Sequence, residues 1–268
     1  MRAGEKQMAR LDAEMVARGI ARSRERAKEM IAAGSVTVNG KTAKKASETV
    51  AESDVVESCE EEKYVGRGAL KLEKAAEEFG LDFKGKICLD IGASTGGFTD
   101  LMLKNGAKKV YAVDVGHGQL AEVLRADERV CNMEGTDIRD ISAEDIGGAA
   151  DFICVDVSFI SLTKILPKVY ELLGDGAIAS VLIKPQFEAG KRDIGKHGIV
   201  KDRKVHVRVL TEIDEFAASL GFVCEKYTFS PVKGGSGNIE YLVKLCKNCG
   251  EPAAHDFVKL ADSAFNRL

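Results

Sequence analysis

The feature that most restricts this chain is an apolar strand that runs directly into a glycine turn. Residues 86–91, KICLDI, lead into Gly92-Ala-Ser94-Thr95-Gly96-Gly97-Phe98, which opens a helix-compatible stretch over 97–105. Further strand-like runs follow at 109–115, 129–133, 151–157, 177–184, 222–230 and 239–245, with helix-compatible segments at 161–173 and 202–219. Alternation of this kind predicts an α/β domain built on a mostly parallel sheet. Ligands of such sheets sit outside the carboxyl ends of the strands, so functional residues are sought just after each strand.

The glycines at 92, 96 and 97 would let the backbone approach a bound nucleoside closely. Ser94 breaks the G-x-G-x-x-G dinucleotide fingerprint, and no G-K-[ST] phosphate loop is present. Asp90, ahead of the turn, suits a ligand carrying an ammonium and a sulfonium, as S-adenosylmethionine does, better than a pyrophosphate. The second strand ends at Asp114, where a carboxylate can accept ribose hydroxyls. Thr136-Asp137 after the third strand is placed to meet an adenine amine, and the fourth strand ends in Asp156. Any one of these acids could be an ordinary polar strand end; four beside a glycine turn are hard to explain as packing. The candidate cofactor contacts are therefore Asp90, Gly92, Ser94, Thr95, Gly96, Gly97, Phe98, Asp114 and Asp137. This pattern resembles the class I S-adenosylmethionine-dependent methyltransferase fold, which implies a Rossmann-like, mostly parallel, seven-stranded sheet.

The first 60 residues have a different character. Leu11, Met15 and Val16 recur at helical spacing before Gly19; Ser23 is a good N-cap for a second helix with Ala27, Met30 and Ile31 on its apolar stripe and Gly34 as its stop. Val36 and Val38 then alternate ahead of Asn39-Gly40, a strong hairpin signal. Across the whole chain 39 Lys and Arg face 42 Asp and Glu, so global charge announces no nucleic-acid partner, yet Arg18 to Lys45 carries a net charge of +6. Such a patch can track phosphates; it can also be a plain solvated helix face. The run RLDAEMVARGIARSRERAKEMIAAGSVTVNGK resembles the S4 RNA-binding domain, a small α+β module. The resemblance implies a grip on structured RNA through backbone and shape, with Arg22, Arg24, Arg26, Lys28 and Lys41 as the candidate contacts. The expected organisation is an S4-like domain over 1–60, an acidic linker over about 57–64, a catalytic domain over 65–246, and a tail over 247–268 with a helix from Ala254 onward.

Seven cysteines, Cys59, Cys88, Cys131, Cys154, Cys224, Cys246 and Cys249, read as buried thiols of a reducing compartment. Cys246 and Cys249 have metal-ligand spacing, but with only His255 nearby the four ligands of a structural zinc are not assembled. No apolar run reaches the roughly 18 residues of a membrane span, and the N-terminus lacks the apolar core of a signal peptide, so a cytoplasmic protein without a membrane partner is expected.

RGALKLEKA, DIGASTGGFTD, VDVGHGQL, DVSFISL, IKPQFEAGK and GNIEYL together resemble the TlyA (hemolysin A-like) family, whose catalytic domain is similar to that of FtsJ-type RNA ribose methyltransferases. The resemblance implies a Lys-Asp-Lys-Glu tetrad on Lys71, Asp156, Lys184 and Glu240. It also implies 2′-O-methylation of ribosomal RNA at cytidine, with rRNA or ribosomal subunits as partners and no role for DNA. Gly66 and His197 depart from the pattern, which leads to Ser and Gly there. A ribose hydroxyl is a weak acid, so the enzyme must align its oxygen with the methyl and help remove its proton. Lysine serves as a base only if burial or a neighbouring cation lowers its pKa. Lys184, at the end of an apolar run and followed by Pro185, is the expected base, with Lys71 as the cation, Asp156 orienting Lys184, and Glu240 holding the network. Pairing of Lys184 with Asp156 as a purely structural ion pair is the competing reading. Other functions open to such a chain are a noncatalytic factor that binds cofactor and RNA, a small-molecule methyltransferase, and a haemolysin.

Overall fold

The computed structural model describes residues 8–21, 23–58 and 63–268. The chain divides into two units, Met1–Lys63 and Tyr64–Leu268.

In the first unit β1 (Met8–Arg10) precedes α1 (Leu11–Ala17), α2 (Arg24–Ala32), β2 (Val36–Val38), β3 (Lys41–Thr42), β4 (Thr49–Ala51) and β5 (Val56–Ser58). Leu11, Met15, Ala27, Met30 and Ile31, all picked out by helical spacing, close its core with Val36 of the hairpin, while Val16 stays half-buried. The Ser23 hydroxyl caps α2 by accepting from the Arg26 amide, 3.2 Å away. Asn39 and Gly40 both take positive φ, 49° and 76°, as a two-residue hairpin of this twist requires. Met8–Arg10 is a strand that pairs with Thr49–Ala51, and Val56–Ser58 joins β2 as a strand where an acidic linker from residue 57 was expected. Strands of three residues paired across the length of a domain leave no periodic trace.

The second unit begins with α3 (Ala69–Phe79), followed by β6 (Ile87–Ile91), α4 (Gly97–Lys104), β7 (Lys109–Asp114), α5 (Glu122–Arg125), β8 (Val130–Glu134) and β9 (Ala150–Val155). Next come α6 (Leu166–Leu172), β10 (Leu173–Ile183), α7 (Pro185–Glu188), α8 (Arg203–Ser219), β11 (Phe222–Phe229), β12 (Tyr241–Lys247) and α9 (Phe257–Arg267). All seven expected strands are present and form one sheet in the order β11-β12-β10-β9-β6-β7-β8. Neighbours from β10 to β8 are parallel, and β12 runs antiparallel to both of its neighbours.

Alternation along the strands feeds a core on each face. On β9, Phe152 and Cys154 pack with Leu72 and Phe79 of α3 and Leu101 of α4, while Ile153 and Val155 pack with Val169 of α6 and Val209 and Ile213 of α8. The tail helix α9 adds Ala264 to the second of these cores, so residues 257–267 belong to the catalytic unit. The chain order reverses direction between β6 and β9, and a crevice opens at the carboxyl ends of strands at such a switch point.

Candidate active site

At that switch point the backbones of two strands touch. The Asp156 amide donates to Ile91 O at 2.9 Å, and a Cβ on Gly92 would lie 2.5 Å from Asp156 O, so only glycine fits where the first turn leaves β6. The turn is pinned from the next strand: Asp114 accepts from the Ser94 amide and from the Gly116 amide, each at 2.8 Å. Beyond it lies a cavity of about 340 Å³, bounded by Gly92, Ser94, Asp114 and Gln119 on one side and Asp137, Asp156 and Phe159 on the other, with Val113, Val115, Ile138 and Ile165 supplying apolar wall.

Asp156 carries this cavity into a charged cluster. Lys184 Nζ sits 2.5 Å from Asp156 Oδ1, Lys71 Nζ 3.3 Å from Oδ2, and Lys71 Nζ 2.8 Å from Glu240 Oε2. The four groups thus form an alternating chain, Lys184–Asp156–Lys71–Glu240, drawn from the ends of β9 and β10, the first turn of α3 and the approach to β12. Lys71, Lys184 and Glu240 are buried. Burial alone pulls the Lys71 ammonium down, but Asp156 and Glu240 outweigh it and leave its pKa above the ordinary value. Burial likewise pushes Asp156 up, and the two lysines more than reverse it. The Ser158 hydroxyl accepts a further hydrogen bond from Lys184 at 2.8 Å, and the Gln186 amide reaches Glu240 Oε1 at 3.4 Å. The two lysines are bridged by Asp156, where the sequence reading set one directly against the other as a bare cation.

A family model described as FtsJ-like methyltransferase matches residues 64–247. The chain belongs to the FtsJ-like methyltransferase family. A second model, described as S4 domain, matches residues 9–56. The chain is 49% identical over 239 residues to YqxC of Bacillus subtilis (strain 168), covering 88% of this chain and 85% of that one. It is 44% identical over 241 residues to the 16S/23S rRNA (cytidine-2′-O)-methyltransferase TlyA of Mycobacterium tuberculosis, covering 88% and 89%. A solved structure of a hemolysin-named protein from Streptococcus thermophilus is 41% identical, covers 98% of each chain and superposes with a TM-score of 0.78.

FtsJ-like methyltransferases take S-adenosylmethionine as methyl donor, and the cavity fits such a group: it holds a nucleoside-sized volume, admits close backbone approach at Gly92, and mixes polar with apolar wall. Of the nine expected cofactor positions, Gly92, Ser94, Asp114 and Asp137 line it. The other five lie outside this lining. Asp90 is wholly buried beneath the turn, accepting from the Thr99 hydroxyl at 2.7 Å and from the Cys154 thiol, and burial pushes its pKa up to about 6. Phe98 packs in the core, Thr95 is exposed outside the cavity wall, and Gly96 and Gly97 shape the start of α4. A motif's spacing locates a turn but does not say which of its side chains face in. The Asp137 carboxylate is held by Arg139 at 2.6 Å, which lowers its pKa and competes for the oxygens expected to meet an adenine amine. Gln119, Val115 and Phe159 were not found from the sequence. Glu134 places Gln119 by accepting from its amide and from Leu120, and with Asn132 as the main cause its pKa falls to about 2. No spacing rule marks these residues.

One departure from the family pattern, Gly66, has a structural account. A Cβ on Gly66 would lie 2.8 Å from Thr95 Oγ1, and one on Gly97 would lie 3.0 Å from Ala69 N, so this chain packs the two segments backbone to backbone. His197, where glycine was expected, has φ 70°.

In the S4 unit, Arg24 is paired with Asp12 at 2.9 Å and Arg26 with Glu29 at 3.4 Å, while Lys28 and Lys41 are exposed. Arg22 lies outside the described residues, as does Cys59. Asp12 is fully buried and also accepts from Arg10, whose hydrogen bond is the main cause of a carboxyl pKa well below the usual range. Arg10 and Asp12 were not singled out from the sequence.

The thiols of Cys88, Cys154 and Cys224 are buried, and burial pushes Cys88 and Cys224 up to about 12. Cys246 and Cys249 lie with their sulfurs side by side, and His255 turns to Cys224 O at 2.9 Å. Among the described residues no group of three His, Cys, Asp or Glu side chains could hold a metal ion, and no helix is long and apolar enough to cross a membrane.

Proposed function

We propose that this chain is a cytoplasmic S-adenosylmethionine-dependent methyltransferase of ribosomal RNA that modifies the 2′-hydroxyl of a ribose, with cytidine, the nucleoside named for the M. tuberculosis relative, as its target. The observation that carries the reading is the junction at Asp156, which borders the cavity with one edge and binds both lysines of the buried cluster with its oxygens. When bound, the donor supplies a methyl already activated on a sulfonium.

The protein's part is alignment and proton removal. Lys184 contacts the 2′-oxygen and is the group that receives its proton. Asp156 fixes Lys184 at the cavity mouth, and Lys71, held between Asp156 and Glu240, keeps both carboxylates in place and helps seat the ribose. Asp114 and Ser94 face the nucleoside end of the cavity. In the S4 unit, Lys28 and Lys41 with Arg24 and Arg26 supply phosphate contacts, and Arg22 belongs with them as a sequence-based candidate.

Incubating the protein with isotopically labelled S-adenosylmethionine and either ribosomal subunits or free rRNA, then mapping the label, tests this reading. Label on a ribose 2′-oxygen supports it; label on a base, or none on either substrate, contradicts it.

A further inference from the structure

One buried amide has no place in the chemistry above. Asn238 is 1% exposed, two residues before Glu240. Its Oδ1 accepts from the Val200 amide at 3.0 Å, its Nδ2 donates to Gly198 O at 2.9 Å, and its own carbonyl accepts from the Gly234 amide at 2.9 Å. One side chain therefore ties residues 198–200 to the turn 234–240. That turn has no slack: a Cβ on Gly234 would overlap the Glu240 carboxylate.

The segment held in this way is rich in cations. Lys191, Arg192, Lys196 and Lys201 are all exposed, against the single acid Asp193. Its two ends are anchored separately. Arg208 of α8 donates to Ala189 O at 3.0 Å and to Asp193 at 2.6 Å, while His206 of α8 bonds Val200 O at 3.0 Å and the Tyr241 hydroxyl at 2.9 Å. Lys191 also borders a groove with Phe159, Phe187, Gln186 and Lys164, next to the tetrad. Burying a primary amide is costly unless its hydrogen bonds are met, and here both go to backbone of a solvent-facing segment and none to the sheet.

We propose that Asn238 is a positioning residue for methyl transfer: its buried amide clamps the basic segment 190–201 to the turn bearing Glu240, so that RNA held by this segment meets the tetrad in one register. The inference rests on the methyltransferase reading above. Asn238 touches neither donor nor ribose; it acts through Glu240, whose ion pair with Lys71 holds the far end of the charged chain.

The test compares single-turnover methyl transfer to rRNA by the wild-type chain, Asn238→Ala, Asn238→Asp, Glu240→Gln and the double variant Asn238→Ala/Glu240→Gln, with donor affinity measured for each. Because a misplacement of about 1 Å can cost on the order of 100-fold in rate, Asn238→Ala is expected to slow transfer roughly 10- to 100-fold with donor affinity within about 3-fold of wild type. Asn238→Asp keeps the acceptor for Val200 but loses the donor for Gly198, and falls between the two. In the Glu240→Gln background the further loss from Asn238→Ala shrinks to less than about 3-fold, the non-additivity expected of residues acting as one unit. Additive losses, an unaffected rate, or loss of donor binding in Asn238→Ala each overturn the proposal, the last by showing a strut for the whole domain. A wild-type chain that transfers no label overturns the methyltransferase reading itself.

Discussion

Charge is used in opposite ways in the two units. In the S4 unit Lys28 and Lys41 stand exposed, and Arg10 and Arg24 keep about half of their side-chain surface open while gripping buried Asp12. In the catalytic unit two lysines and two acids alternate in one buried chain. Exposed cations act on RNA by summed, salt-screened attraction, so each is worth little and none is indispensable. Buried charges stand or fall together, because a removed partner leaves its neighbour uncompensated in a poorly solvated site.

The comparison breaks most visibly at Lys184. Lys184→Ala is expected to lower single-turnover methyl transfer by roughly 1,000-fold or more, within the range of lost acid–base catalysis. The next largest effect is on stability. Glu240→Ala leaves buried Lys71 with one carboxylate, and should destabilise the domain by roughly 3 kcal/mol in urea unfolding, whereas Glu240→Gln should cost less. A null effect would mean that the cluster behaves like the exposed set.

Asp90 sharpens the contrast, as a buried acid that accepts from the Thr99 hydroxyl and the Cys154 thiol where Asp156 accepts from lysines. Its pKa is about 6 in the folded chain and close to 4 in the unfolded one. Between those values the folded state keeps a proton that the unfolded state releases, so stability is greatest below the lower pKa and declines as pH rises through the upper one, by up to roughly 3 kcal/mol. Urea unfolding of Asp90→Asn should lose this slope between about pH 4 and 6; an unchanged slope assigns it to other groups. The smallest effects belong to the S4 unit. Lys28→Ala and Lys41→Ala should each weaken rRNA binding a few-fold and reduce the salt slope by about one, with the rate of the bound complex unchanged. A collapse of activity from either would erase the distinction between the two units.

Much of this was legible in the residues. The seven strands announced themselves through apolar runs, four of them closed by an acid or a glycine, and the ends of those runs delivered Asp156 and Lys184 to one place. Family resemblance supplied Lys71 and Glu240, which sit in a helix and a turn that no periodicity would link. What stayed hidden was orientation. Asp90 and Asp114 both follow the rule for strand-end acids, yet one faces the core beneath the turn and the other the cavity, a difference set by which side of the sheet each strand residue takes. Gln119, Glu134 and Asn238 act through backbone hydrogen bonds, which any polar side chain can make and no spacing predicts. Strands β1, β4 and β5 are too short to show alternation and exist through partners far away in sequence.

The most direct test of the account is to measure donor affinity and methyl transfer side by side for Lys184→Ala. Donor binding near the wild-type value together with loss of transfer to the ribose 2′-oxygen is the predicted result. Transfer at the wild-type rate would contradict it, reducing the buried Lys184–Asp156 pair to a structural strut.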